Sequence, residues 1–249
     1  LASFIYGKYP VQELLRINPK EVKKLWYVSK DHLQDLTNID LLDKELIEPR
    51  LLSRQFGLKE FESHQGLLIE LKRDLNSLLT TELENLIIKC SEAEKLIIWL
   101  PSIQDAHNLG AIIRASVAFG IVGGIVIPAS NSVRLSQTVA KVSAGSIFSM
   151  NFAFSSNAKN SAKVFQSSGF KLVGIQKQEN SMDLPSADFK SFGPTCLVFG
   201  SEEKGIPSPL LPFCENIIKI PQSEAVDSFN LSMAAGIVLY EINRQLKCI

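Results

Sequence analysis

From residue 95 onward, apolar runs of strand length alternate with segments of helical spacing. The runs are 96–100, 124–127, 172–175, 196–199 and 217–220; the helical segments are 108–119, 133–142 and 158–168. A strand that is apolar on both faces must be covered on both faces, and alternation with helices is how parallel sheets achieve that. The pattern predicts an α/β fold with a parallel sheet over 95–249. Residues 1–78 read as a separate small α/β unit. It has a short helix at 11–17 after Tyr9-Pro10, a strand at 24–28, a second helix at 41–47 and a strand at 67–71. The stretch 72–90 is polar, helical in flavour and weakly patterned, so 79–94 reads as a linker. The chain has no internal repeat and no low-complexity segment.

The last helix is apolar nearly all round. Across 229–240 the sequence is FNLSMAAGIVLY, and only Asn230 and Ser232 are polar. Such a helix is expected to be buried on all sides. One face can pack on the sheet of its own chain. The other calls for a second copy of the subunit, with purely internal burial as the alternative.

The 249 residues, 45% apolar and 21% charged, suffice for a real core. Net charge is zero, which argues against a nucleic-acid binder driven by bulk charge. A local basic face or recognition of RNA by shape stays open. The apolar stretches 95–100 and 120–128 fall well short of the ~20 residues of a membrane helix. No basic-then-apolar leader opens the chain, so neither membrane nor secretion is expected, and the location expected is cytoplasmic. The chain opens at Leu1 without a methionine, so its true start is expected upstream. Cys90, Cys196, Cys214 and Cys248 form no CxxC pair and no zinc spacing with histidine. They read as reduced, mostly buried thiols, with no metal.

Three polar stretches interrupt this pattern at strand ends. The first is QDAHNLG at 104–110, leading into a helix that contains Arg114 among Ile112, Ile113, Ala115, Val117 and Ala118. Asn108 can serve there as a helix cap. An arginine on an apolar helix needs a partner, because its charge cannot be removed. The second is FGSEEKGIP at 199–207, directly after an apolar run. Its glycines allow positive φ and close approach of backbone to a ligand. It lacks the GxxxxGK[ST] of a P-loop. The Gly120–Gly124 stretch precedes a strand, where a dinucleotide fingerprint would follow one. The third is IPQSEAVDSFNLS at 220–232, a loop running into the apolar helix, with Asp227 or Ser228 as the expected cap. All three loops lie where parallel sheets bind their ligands.

In this order the stretches resemble the motifs of the SpoU (TrmH-type) RNA ribose methyltransferases of the SPOUT superfamily. Asn108, Gly110 and Arg114 meet N-x-G-x-x-x-R. Gly200, Glu202 and Gly205 meet G-x-E-x-x-G. Ile220, Pro221, Ser228, Asn230 and Ser232 meet I-P followed by S-[LF]-N-x-S. The resemblance covers roughly 95–247. The N-terminal part, through Tyr6-Gly7-Lys8, Val11, Glu13-Leu14-Leu15, 22–28 and His64-Gln65-Gly66, resembles the small RNA-binding domain of RlmB-type members, which act on large-subunit ribosomal RNA.

The resemblance implies S-adenosylmethionine-dependent methylation of a ribose 2′-hydroxyl in structured RNA. A guanosine of large-subunit (23S) rRNA is the favoured target. Transfer RNA is an alternative, as is an inactive RNA-binding or assembly protein. It implies a deep trefoil knot, a homodimer through the knot and C-terminal helix, and cofactor contacts around Gly200, Gly205, Ile220, Phe229 and Leu231. Arg114 is expected at the 2′-hydroxyl, orienting it and stabilising oxyanion charge. Asn108 orients Arg114 or the nucleotide, and Glu202 fixes the loop and pairs with Arg114. Ser228 and Asn230 shape the pocket. Lys8, Arg16, Lys23 and Lys24 are candidate RNA contacts, with a solvated surface as their default reading. Glu224, Asp227 and Phe229 depart from the common glycine, serine and leucine.

Overall fold

The computed structural model describes residues 4–58, 64–201, 204–225 and 228–247. In chain order they form β1 (Phe4–Tyr6), α1 (Lys8–Ile17), β2 (Val22–Tyr27), β3 (Asp43–Leu46), α2 (Pro49–Gln55), β4 (Leu67–Leu71), α3 (Leu75–Leu79), β5 (Thr80–Thr81) and α4 (Leu83–Glu92). There follow β6 (Leu96–Trp99), α5 (Ala106–Phe119), β7 (Val122–Pro128), α6 (Gln137–Val142), β8 (Asn151–Ser155), α7 (Ala158–Ser167), β9 (Lys171–Ile175), β10 (Met182–Asp183), β11 (Thr195–Phe199), β12 (Cys214–Lys219) and α8 (Leu231–Lys247). The chain divides into two compact units, 1–79 with 134–149, and 80–133 with 150–249.

The first unit holds a four-stranded sheet in the order β1-β4-β2-β3. Helix α1 buries Pro10, Val11, Leu14 and Leu15, an i, i+3, i+4 stripe that accounts for its formation. Residues 41–47, expected to be helical, instead carry β3, which pairs in parallel with β2 and is exposed throughout. Its residues Asp43-Lys44-Glu45-Leu46 offer no apolar face to bury, so the pairing with β2 decides the conformation. The helix lies later, at α2, which Pro49 opens at a position where its missing N–H costs nothing. Segment 134–149 belongs to this unit, whereas its helix was expected to cover the larger sheet. Within the unit, a Cβ on Gly145 (φ +84°) would meet Glu13 side-chain carbons and the Tyr9 carbonyl at 2.8–2.9 Å, so glycine is required there.

The second unit is built on an eight-stranded sheet, β10-β12-β9-β11-β6-β7-β8-β5, with every pairing parallel. Its central strand β11 is buried at all five positions. Residues 79–94 are structural here: Thr80–Thr81 extends the sheet beside β8, and α4 buries Leu83, Leu86, Ile87 and Cys90 in the core. The glycines preceding 125 serve that packing. A Cβ on Gly124 would stand 2.4 Å from Leu86 Cδ1, and one on Gly123 2.8 Å from Cys90 Sγ. The pair lets a helix approach the sheet closely. Gly120, at φ +67°, ends α5 in a left-handed cap. Burial pushes the Cys90 and Cys214 thiols up to about 11 and raises Cys196 as well. Cys248 lies outside the described residues.

Helix α8 starts at Leu231, two residues later than the apolar run, and is not buried all round within one chain. Ala235, Val238, Leu239 and Ile242 face the core. Met233 and Tyr240 are 57% and 59% exposed on the other side, and a Cβ on Gly236 would meet nothing within 4 Å.

Candidate active site

Three adjacent strands, β12, β9 and β11, end together. Ile175 pairs in register with both Phe199 and Ile218, so the next residues of each strand emerge side by side. A cavity of about 370 Å3 opens there, within the ~300–1,000 Å3 of small-molecule sites. Its walls come from Ile175 at the end of β9 and Gln176 after it, Gly200, Ser201 and Gly205 after β11, and Ile220, Ser228 and Phe229 after β12. Leu231 on the first turn of α8 closes it. Thus Gly200, Gly205, Ile220, Ser228, Phe229 and Leu231, far apart in sequence, share one wall. Lys177 and Lys204 are the charged residues among the described lining.

The Gly200 loop is narrow because its backbone closes on itself. Ser201 N donates to Gly205 O and Gly205 N to Ser201 O, each at 3.0 Å. A Cβ on Gly200 would stand 2.2 Å from the Gly205 carbonyl carbon and 2.4 Å from Ile206 N. No side chain fits between those backbones. Gly205 itself holds φ +64°. Glu202, expected to fix this loop and to pair with Arg114, lies outside the described residues, as does Asp227.

A second cavity, about 490 Å3, shares Ser201, Lys204, Gly205 and Leu231 with the first and extends to Gln104, Asp105 and Asn108. The cap of α5 is Asp105, whose carboxylate accepts from His107 N and Asn108 N at 3.1 Å. Asn108 was a candidate for that cap, beside its expected role of orienting Arg114 or the nucleotide. With Asp105 in that role, the Asn108 amide is available elsewhere, and its Oδ1 accepts from Asn230 Nδ2 at 2.9 Å. Asn230 in turn caps α8: its Oδ1 accepts from Ser232 N (3.0 Å), Ser232 Oγ (2.6 Å) and Met233 N (3.3 Å). That role was expected of Asp227 or Ser228; Ser228 instead lines the first cavity. The first and third motifs therefore meet through one amide pair, which joins the N-termini of two helices. The α8 terminus, capped by a neutral amide, keeps its partial positive charge, whereas the Asp105 carboxylate offsets that of α5.

Arg114 does not join them within one chain. It is exposed on α5, lines neither cavity, and has no hydrogen bond or ion pair among the described residues. Water solvates its charge on that side of the helix, so the buried partner that an apolar helix seemed to demand is not needed in the single subunit. Glu224 is exposed, and Phe229 stands in the cavity wall.

Residues 95–240 match the family model described as the SpoU rRNA methylase family. The chain belongs to that family. Over 246 residues it is 31% identical to the 23S rRNA (guanosine-2′-O-)-methyltransferase RlmB of Shewanella oneidensis, covering 98% of this chain and 97% of that protein. It is 30% identical over 246 residues to the RlmB of Pseudomonas aeruginosa, covering 97% of this chain and 96% of that one. Among solved structures, an AdoMet-bound rRNA methyltransferase from Sinorhizobium meliloti superposes with a TM-score of 0.78 at 22% identity, covering 98% of this chain and 88% of that one. The SpoU methyltransferase AviRb from Streptomyces viridochromogenes, in complex with AdoMet, gives 0.74 at 21%, covering 100% and 92%. These two likenesses carry the fold. Family membership makes the protein an S-adenosylmethionine-dependent RNA 2′-O-methyltransferase.

The first cavity suits that cofactor. Ile220, Phe229 and Leu231 could offer apolar surface to a nucleobase, Ser228 a polar group, and Lys177 and Lys204 partners for a carboxylate. Sequence reasoning missed Gln176, Lys177 and Lys204. Gln176 and Lys177 follow a strand without any motif, and only the convergence of strand ends brings them in.

Proposed function

We propose that the protein methylates the 2′-hydroxyl of a guanosine in large-subunit ribosomal RNA, as a homodimer with a trefoil-knotted catalytic unit. The observation that carries the reading is the meeting of the second and third motif stretches at one cavity on the ends of β9, β11 and β12, with the first motif lining the adjoining cavity and tied to the third through Asn108–Asn230. The RlmB relatives span nearly the whole chain, the first unit included, which favours ribosomal over transfer RNA. In this reading the first unit engages the RNA substrate; its candidate contacts Lys8, Arg16, Lys23 and Lys24 are each ion-paired within the unit, with Asp35, Glu13, Glu70 and Glu45.

The knot is supported by the position of β12. This last strand inserts between β9 and β10, both of which precede it in the chain. The dimer is supported by the exposed side of α8 at Met233 and Tyr240, which continues onto α5 where Phe119 packs edge-on against Tyr240 (6.4 Å between centroids). Burying that surface between two copies provides the second cover that the apolar helix lacks alone. Arg114 lies on α5 and reaches the reacting centre in that assembly.

The bound cofactor supplies an electrophilic methyl on a sulfonium. Gly200, Gly205 and Ile220 bring backbone close around it, and Phe229 and Leu231 exclude water. Asn108 and Asn230 hold the N-termini of α5 and α8 together beside the site; the α8 terminus, capped by a neutral amide, offers partial positive charge to an oxygen gaining negative character. Arg114 orients the hydroxyl through its fixed fork of donors; its proton is too tightly held for it to act as a base. A target phosphate takes the hydroxyl proton.

Calorimetric titration with S-adenosylmethionine, then mapping of 2′-O-methylation in ribosomal RNA with and without the gene, tests this. Binding at one site per chain and loss of a single methylated guanosine are expected. Absence of binding, with or without RNA, refutes the reading.

A further inference from the structure

Gln176 belongs to none of the three motifs, yet its side chain is hydrogen-bonded to the glycine loop. It stands one residue beyond β9, level with Gly200 on one neighbouring strand and Lys219 on the other. Its backbone N donates to Ile218 O at 2.9 Å, which adds one rung to the β9–β12 pairing and fixes where its side chain begins. From there Oε1 accepts a hydrogen bond from Ile206 N at 2.6 Å. A backbone N–H can only donate, so the amide must present its oxygen to the loop. Nε2 donates to Gln178 Oε1 at 3.2 Å, which holds that orientation. Gln178 sits in a turn closed by Ser181, whose Oγ donates to Gln178 O at 2.6 Å.

The loop is shaped to receive this oxygen. A Cβ on Gly205 would stand 2.4 Å from Gln176 Oε1, so glycine at 205 serves the clamp as well as its positive φ. The loop is thus held from two sides. Gly200 lies against the Gly205–Ile206 backbone, and Gln176 grips Ile206 N from the adjacent strand. Gln176, Gly200 and Gly205 are also neighbours in the cavity wall.

We propose that Gln176 is a positioning residue for cofactor binding. Its side-chain oxygen clamps the Gly200–Gly205 loop in the conformation that receives S-adenosylmethionine before the cofactor arrives. The inference rests on the proposed cofactor site and adds a residue that sets its preorganisation. A preformed loop spares the ligand the cost of ordering it. Losing the clamp therefore weakens affinity and leaves the methyl-transfer step alone.

The test compares Gln176→Leu, which keeps size without the acceptor, with Gln176→Glu, which keeps an acceptor for Ile206 N. Hydrogen exchange at the Ile206 amide is measured first, without ligand. It is expected to rise about ten-fold in Gln176→Leu, the size of one lost hydrogen bond, and to stay near the native rate in Gln176→Glu. Calorimetric titration with S-adenosylmethionine should then show roughly ten-fold weaker binding for Gln176→Leu, with affinity recovered in Gln176→Glu. The KM for cofactor should rise in parallel while kcat at saturating cofactor stays within about two-fold. Unchanged exchange at Ile206 in Gln176→Leu overturns the clamp, whether or not the cofactor binds. Equal loss of affinity in both variants also overturns it, since the side chain would then act by direct contact. If the unaltered protein fails to bind the cofactor while the exchange result holds, the functional reading fails and the clamp stands as loop structure only.

Discussion

The amide pair Asn108–Asn230 makes a quantitative prediction, because Asn230 does two separable things. Its Oδ1 caps α8 by accepting from Ser232 N and Met233 N, and its Nδ2 donates to Asn108 Oδ1. Removing a helix cap costs about 1 kcal/mol, and a side-chain hydrogen bond contributes about 0.5–1.5 kcal/mol. Asn230→Ala loses both, about 2 kcal/mol in total. At 2–4 °C per kcal/mol for a chain of this size, the melting temperature should fall by roughly 4–8 °C. Asn230→Ser keeps a capping oxygen but cannot reach Asn108, so it should lose about half as much. A double-mutant cycle between Asn108→Ala and Asn230→Ala should give a coupling of about 0.5–1.5 kcal/mol. Denaturant melts of the five proteins (unaltered, two single alanine variants, their double, and Asn230→Ser) at one fixed concentration supply every term, the concentration held because a dimer's stability depends on it. The reasoning is refuted if Asn230→Ser falls as far as Asn230→Ala, because capping would then contribute nothing. Zero coupling with Asn108 would refute the amide pair itself.

Three further outcomes are expected. Gly200→Ala forces the loop open against backbone atoms at 2.2 and 2.4 Å; an overpacking cost of about 1–3 kcal/mol should weaken S-adenosylmethionine binding roughly ten- to a hundred-fold by calorimetry. Arg114→Ala should leave the melting temperature nearly unchanged, since the side chain is exposed, but cut turnover about a hundred-fold or more; Arg114→Lys should also fail, and near-full turnover in Arg114→Ala would remove Arg114 from the mechanism. Burial, with a smaller contribution from nearby His32, lowers the pKa of the fully buried His64. The unfolded chain then takes up a proton at about 6.5 that the folded one refuses, so stability is complete above that pH and declines as pH falls from there toward the folded pKa. Melting curves between pH 7.5 and 5.5 should show the decline, and His64→Gln should flatten it.

The parallel sheet was legible in the sequence because its strands are buried on both faces. Runs such as 196–199 and 172–175 have no polar position to confuse the reading, and they became β11 and β9. The three motif loops were equally legible, since glycines and polar residues interrupt apolar runs at strand ends. Where a segment has no face to bury, the sequence was silent or misleading. Residues 43–46 form a strand only because β2 offers a free edge, and Thr80–Thr81 only because β8 does. Capping showed the same limit. Asp105, Asn108, Asp227, Ser228 and Asn230 are all competent caps by residue type. Backbone geometry assigned the roles to Asp105 and Asn230, and so left Asn108 to bridge two helices. The apolar run at 229–240 announced a helix, which begins at Leu231. Which side the chain covers itself, through Ala235, Val238, Leu239 and Ile242, and which it leaves open at Met233 and Tyr240, followed only from packing. Gln176 is the clearest case. Nothing in its local sequence marks it, because its meaning lies in a hydrogen bond to a residue 30 positions away. Sequence patterning determines which faces must be buried and where loops interrupt them. The tertiary structure decides which of several chemically equivalent groups stands within hydrogen-bond reach, because only the assembled sheet brings distant strand ends together.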